Sequence, residues 1–256
     1  MKKTVIMAAA AVLMTGCASN LATPVPGGKV VHEKNDNASY IVFSRPEGFV
    51  GAALSNTIVE FNPSTYVTQY VGTLGPQTRI AYKTTPGTHY FYMDGGENDD
   101  MIKITIGKSK EYYVHTAVSM GVMAGRFYFQ PLPYPSLALA DSLKGKTCTP
   151  AAISKYEFKQ VKDETSEFTG ELKYTSAKNN IDIECVKGVV KHSTYNGQSL
   201  TNINDAKLIK PNAKGKEFYK QNVANYIKEI KEDFSGWRNS EMSKTAMNPG
   251  DGKNLK

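Results

Sequence analysis

Cysteine is scarce in this chain: three occur in 256 residues, at positions 17, 148 and 185. None forms a Cys-x-x-Cys pair, which removes the common thiol-redox and zinc frameworks. The four histidines, His32, His89, His115 and His192, lack the spacing of a helical metal pair. His89 and His115 fall in different predicted strands and read as ordinary sheet histidines. No apolar run approaches the ~20 residues that span a bilayer. Positive charge exceeds negative by seven, yet no basic block concentrates it, so nucleic acid is not an expected partner. Catalytic signatures are missing too: there is no Gly-x-Ser-x-Gly elbow and no His-Glu-x-x-His pair. Gly145-Lys146-Thr147 has the tail of a phosphate loop, but Ala140 stands where its first glycine belongs. No cofactor is implied.

What is present begins at the N-terminus. Lys2 and Lys3 precede eleven mostly apolar residues, 4–14, that end at Thr15-Gly16-Cys17. This is the layout of a lipoprotein signal over residues 1–16, with cleavage before Cys17 and acylation of that cysteine. Cleavage would remove two of the seven net positive charges. Ala18 is not the aspartate that retains such proteins at the inner membrane, so the expected address is a lipid anchor in the outer membrane, facing the periplasm. Residues 17–37, broken by Pro24, Pro26, Gly27 and Gly28, read as a tether. In such an oxidising compartment Cys148 and Cys185 read as a structural bridge ahead of two buried thiols.

From residue 38 the pattern alternates. Runs at 40–45, 57–61, 67–71, 78–83 and 126–130 read as strands, and 84–118 reads as a three-stranded antiparallel meander. Within it His89, Phe91 and Met93 share a face, as do Ile102, Ile104 and Ile106, and Tyr112 and Val114. Tyr90, Tyr92 and Tyr113 fall on the opposite face. About eight short strands with no helical period between them predict an antiparallel sandwich over 38–135. The segment Asp94-Gly-Gly-Glu-Asn-Asp-Asp100 lacks the alternation of a calcium loop and reads as an acidic hairpin tip.

Three motifs carry a resemblance: Tyr40-Ile-Val-Phe-Ser-Arg-Pro-Glu-Gly-Phe-Val-Gly51, Thr85-Pro-Gly-Thr-His89 and Gly107-Lys-Ser-Lys-Glu-Tyr-Tyr-Val114. Together they resemble the bacterial lipoprotein domain-of-unknown-function 2846 family over about residues 38–132. The resemblance implies a transthyretin-like or immunoglobulin-like sandwich and carries no established activity.

Residues 147–211 read as a β-rich extension held by Cys148 and Cys185. Tyr219, Val223, Tyr226, Ile227, Ile230, Phe234 and Trp237 recur at helical spacing, which predicts an amphipathic helix over 216–237. Residues 240–256 read as a disordered tail. The expected function is that of a non-catalytic, membrane-anchored envelope lipoprotein. Its binding face would meet an envelope protein or a cell-wall glycan, with Tyr90, Tyr92 and Tyr113 as candidates. The alternative is an enzyme of unrecognised type acting on an envelope substrate. The predicted helix needs an apolar partner, and the tyrosine face is its expected docking surface.

Overall fold

A computed structural model describes residues 20–32, 37–45, 54–95, 98–120, 125–161, 171–196, 198–200, 203, 206–239 and 247–255. Cys17 and the expected signal segment lie outside them. Strands β1 (Ala22–Pro24), β2 (Ser39–Arg45), β3 (Asn56–Phe61), β4 (Thr68–Leu74), β5 (Thr78–Thr84), β6 (Gly87–Gly95), β7 (Asn98–Ile106), β8 (Lys110–Met120) and β9 (Gly125–Leu132) come first. Two helices follow, α1 (Tyr134–Leu143) and α2 (Pro150–Ser154). Then come β10 (Lys159–Val161), β11 (Glu171–Ser176), β12 (Ile181–Val186), β13 (Val189–Tyr195), β14 (Gln198–Ser199) and β15 (Lys207–Pro211). The long helix α3 (Ala213–Asn239) and a short β16 (Lys253–Asn254) end the series.

The sandwich consists of a four-stranded sheet, β4-β3-β6-β7, facing a seven-stranded one, β1-β15-β5-β2-β8 with β9 and β16 on the far side of β8. Alternation assigns the faces as expected. Ile58, Phe91, Met93, Ile102 and Ile104 from one sheet meet Ile41, Phe43, Ile80, Tyr112 and Val114 from the other in one apolar core. At ~25 cal/mol per Å² of apolar area, that burial is the main force closing the sandwich. Most pairings are antiparallel, but β2–β8 and β15–β5 are parallel.

The expected meander is corrected. β6 and β7 form an antiparallel hairpin, whereas β8 leaves for the opposite sheet and pairs with β2 and β9. Alternation fixes which face a residue takes and is silent about which strand it pairs with. Ser109, at φ 51°, turns the chain between the sheets. The free edge of β9 is closed by side chains of β7: Asn98 Oδ1 accepts the Phe127 N–H at 2.9 Å, and Asp100 Oδ2 the Phe129 N–H at 2.6 Å. Such capping of an edge limits pairing with other chains.

Both outer faces are covered. α3, which extends the predicted helix by three residues at its start and two at its end, lays Tyr226, Ile230, Phe234 and Trp237 on Val59, Phe61, Tyr92 and Met101 of the four-stranded sheet. On the other sheet, Val42, Tyr113 and Leu132 pack against α1, α2 and the five-stranded antiparallel sheet β10-β11-β12-β13-β14. That extension carries the Cys148–Cys185 disulfide, with Cα atoms 6.0 Å apart across 37 residues. The Gly145-Lys146-Thr147 triplet is a helix stop: Gly145 takes φ 74° after α1 and donates its N–H to Val190 O.

Three further expectations are corrected. The tether is largely folded: Ala22–Pro24 pairs with β15, and His32 reaches Glu111 at 2.6 Å. Its prolines and glycines break regular structure without preventing a three-residue edge strand. The tail also returns. Met247 is wholly buried against β7, its carbonyl accepting from Thr105 N at 2.8 Å, and Lys253 pairs with Glu111 of β8. Its polar composition hid one buried methionine and a backbone able to extend a sheet edge. The extension likewise ends before β15, which belongs to the sandwich.

Candidate binding site at the sandwich mouth

The inward rows of the core turn polar at one end of the sandwich. Along β3 the inward position after Ile58 is Glu60, along β6 the one before Phe91 is His89, and along β5 the one after Ile80 is Tyr82. Glu60 and His89 come from one sheet and Tyr82 from the other. His89 Nδ1 lies 2.5 Å from Glu60 Oε1, Tyr82 donates its hydroxyl to Glu60 Oε2, and His89 Nε2 donates to Thr85 O at 2.9 Å. Each charged atom is thereby partnered, as a half-buried ion pair requires.

The titrations follow from these contacts. The Glu60 hydrogen bond holds the His89 imidazole above its ordinary pKa, against the opposing effect of burial. Burial alone would raise Glu60; hydrogen bonds from His89 and Tyr82 outweigh it and leave the carboxyl below its usual range. Burial, reinforced by the Glu60 carboxylate, pushes the Tyr82 phenol up. Each shift favours the charged form of Glu60 and His89 and the neutral form of Tyr82.

Beside it opens a cleft of about 560 Å³, lined by Glu60, His89, Gln69, Thr88, Tyr90 and the loop 62–67. The loop is rigidly built. Asn62 Oδ1 accepts the N–H groups of Ser64 and Thr65 at 2.9 and 3.0 Å, and Tyr66 stands at φ 57°. Asn62, Thr65, Val67, Gln69 and Thr88 are exposed along its walls. The arrangement offers hydroxyls, amides and an ion pair to a polar ligand.

Of the three tyrosines proposed from sequence only Tyr90 borders this cleft, and the three do not all share a face. Tyr92 is fully buried and donates to Glu229 Oε2 at 2.7 Å, and Tyr90 packs its ring 5.8 Å from Phe234 and 6.4 Å from Trp237. Both therefore lie beneath α3. Tyr113 lies on the other sheet, stacked on Tyr134 and donating to Glu111 Oε1. The expected open tyrosine face is thus corrected: the strand that carries Tyr113 changed sheets, and each outer face gained a cover. The expected docking of the helix on Tyr90 and Tyr92 is what the structure has.

Sequence reasoning missed Glu60 and Tyr82 and treated His89 as an ordinary sheet residue. The signal was available: an ionisable residue aligned with Phe91 and Met93 in an inward row is expensive unless partnered. His89 and His115 do not come together, because His115 faces outward from the other sheet. The acidic tip of the β6–β7 hairpin lies against α3, where Asp99, Asp100, Glu232 and Asp233 border a cavity of about 360 Å³. Burial pushes Asp94, Asp99 and Asp100 each up to about 6. Among the described residues no group of three or more His, Cys, Asp or Glu is placed to hold a metal. No protein-family model matches the chain, and no curated protein matches it.

Proposed function

We propose that this is a lipid-anchored envelope protein whose sandwich mouth is a non-catalytic binding site for a polar periplasmic or cell-wall partner. The anchor reading rests on the short apolar segment ending at Gly16-Cys17. The binding reading rests on one observation: a cleft of about 560 Å³ stands beside an ion pair whose polar atoms each already have a partner within the fold. His89 commits both ring nitrogens, and Glu60 commits both oxygens. Groups held this way present fixed charge and shape, the requirement for recognition, with no spare base beside a nucleophile. The likeness of the 40–51, 85–89 and 107–114 motifs to a lipoprotein family agrees with this reading.

Exposed amide and hydroxyl groups over a sheet end suit a ligand rich in hydroxyls and amides, such as a glycan strand with its peptide stem. Titration of the protein with soluble peptidoglycan fragments, followed by amide and side-chain NMR, tests it. Saturable shifts at Gln69, Thr88 and His89, lost in Gln69→Ala with Thr88→Ala, are expected. Shifts confined to other surfaces would reject the mouth as the site.

A further inference from the structure

The folded body begins almost at the acylation position. Asn20 O accepts from Asn212 Nδ2 at 2.9 Å, and Leu21 O accepts from Asn212 N at 3.3 Å. A Cβ on Gly215 would run into the Leu21 carbonyl, so the first turn of α3 is held directly against this segment. One residue on, β1 begins, with Thr23 opposite Lys210. Cys17 is three residues from Asn20, a reach of at most ~11 Å. Whatever holds Cys17 must lie beside the end of β15 and the start of α3.

Exposed lysines flank that point, Lys214 and Lys216 on either side of Gly215 and Lys210 in β15. The first turn of α3 has no acidic residue. Among the described residues none of the three makes an ion pair; the nearest carboxylate in sequence, Glu217, pairs with Lys220 at 3.9 Å. The far part of the helix has the opposite character. Glu229, Glu232 and Asp233 lie beside Asp94, Asp99 and Asp100. Glu229 is about 24 Å along the axis from Ala213 at 1.5 Å per residue. That separation is about three Debye lengths at physiological salt, so the two ends act independently on a charged surface.

We infer that the Lys210–Lys214–Lys216 surface seats the protein on anionic phospholipid headgroups, with the acidic part of α3 turned away from the bilayer. The inference rests on the acylation of Cys17 proposed above. An acyl chain holds the protein at the membrane without orienting it; lysines within a Debye length of anionic headgroups add attraction on one side only.

The test uses the full-length protein extracted with its native N-terminus and reconstituted into vesicles of phosphatidylcholine, alone or with about 30% phosphatidylglycerol. Amine-reactive labelling is read by mass spectrometry at each lysine. Labelling of Lys210, Lys214 and Lys216 should fall severalfold on the anionic vesicles and recover in high salt. Lys228 and Lys231, near the acidic part of α3, should label equally on both. Lys214→Glu with Lys216→Glu, exposed changes whose circular dichroism should match the wild type, should abolish the protection of Lys210. Equal labelling on both vesicle types, with the protein retained on them, overturns the seat and leaves the anchor standing. An unmodified Cys17 peptide with protected lysines on anionic vesicles overturns the anchor and leaves the seat standing.

Discussion

The two outer faces of the sandwich are covered by different means, and the difference shows in what each buries. The four-stranded sheet is covered by one helix, and the contact is aromatic and continuous. Phe61, Tyr90 and Tyr92 meet Tyr226, Phe234 and Trp237, with Trp237 Nε1 donating to Met101 O at 2.9 Å. The seven-stranded sheet is covered by a whole subassembly of two helices, five strands and a disulfide, and its contact changes character along the strands. The row Val42–Tyr113–Leu132 is apolar, and the next row on that face is Ser44–His115–Gln130. His115 is fully buried there, and among the described residues neither ring nitrogen has a partner; Gln130 Nε2 reaches across to Tyr195 O at 2.8 Å. A helix supplies its own backbone hydrogen bonds and need offer only a stripe, whereas a sheet-bearing cover brings polar rows into its seam.

The largest effect expected on the helix side is from Trp237→Ala, which should lower stability by about 3–5 kcal/mol in urea unfolding. Hydrogen exchange should then accelerate in α3 and leave β11–β13 protected. Equal loss in both regions would mean that the covers are one cooperative unit. On the other side, Cys148→Ser with Cys185→Ser should cost about 2–4 kcal/mol by the chain-entropy argument. Exchange should rise first in β11–β13, with α3 unaffected.

Acid should sharpen the contrast, because the two covers titrate in opposite senses. Burial pushes His115 down to about 4, from an ordinary value of 6.5. Its contribution is complete above pH 6.5 and is lost as pH falls through about 4, a total of about 3 kcal/mol. On the helix side Asp94, Asp99 and Asp100 are raised from 3.8 to about 6. Their contribution is complete below 3.8 and is lost as pH rises through about 6. Between pH 7 and pH 4, exchange corrected for intrinsic rate should slow in α3 and quicken around β8 and β9. Parallel responses would contradict the assignment, and His115→Phe should remove the seam's share.

The smallest effect is at the Glu60–His89 pair of the mouth. His89→Ala should cost about 1–3 kcal/mol, the range of a charge-assisted hydrogen bond. The pair's contribution has two edges. Glu60, lowered from 4.5, loses its share as pH falls through its folded value, and His89, raised from 6.5, loses its share as pH rises through its own. The difference in stability between wild type and His89→Ala should therefore be greatest between pH 4.5 and 6.5. A difference independent of pH would mean that packing, not charge, accounts for the loss.

By itself, the sequence determined which residues of the strands alternate inward and where the long helix runs, and it favoured the Cys148–Cys185 pairing that the structure has. These are local consequences: a period of two assigns faces to strands, a period near 3.6 assigns a stripe to a helix, and Cys148 and Cys185, the cysteines outside the N-terminal segment, have one pairing with each other. Only the tertiary structure decided that β8 joins the opposite sheet, that Met247 returns to β7, and that Glu60, His89 and Tyr82 converge from three strands on two sheets. Those outcomes depend on pairing between segments far apart in the chain. Alternation within a strand carries no information about its neighbour, so Tyr90 and Tyr113 could share a pattern and end beneath different covers. The mouth was visible only as ionisable residues in apolar rows; their partners were fixed when the two sheets closed.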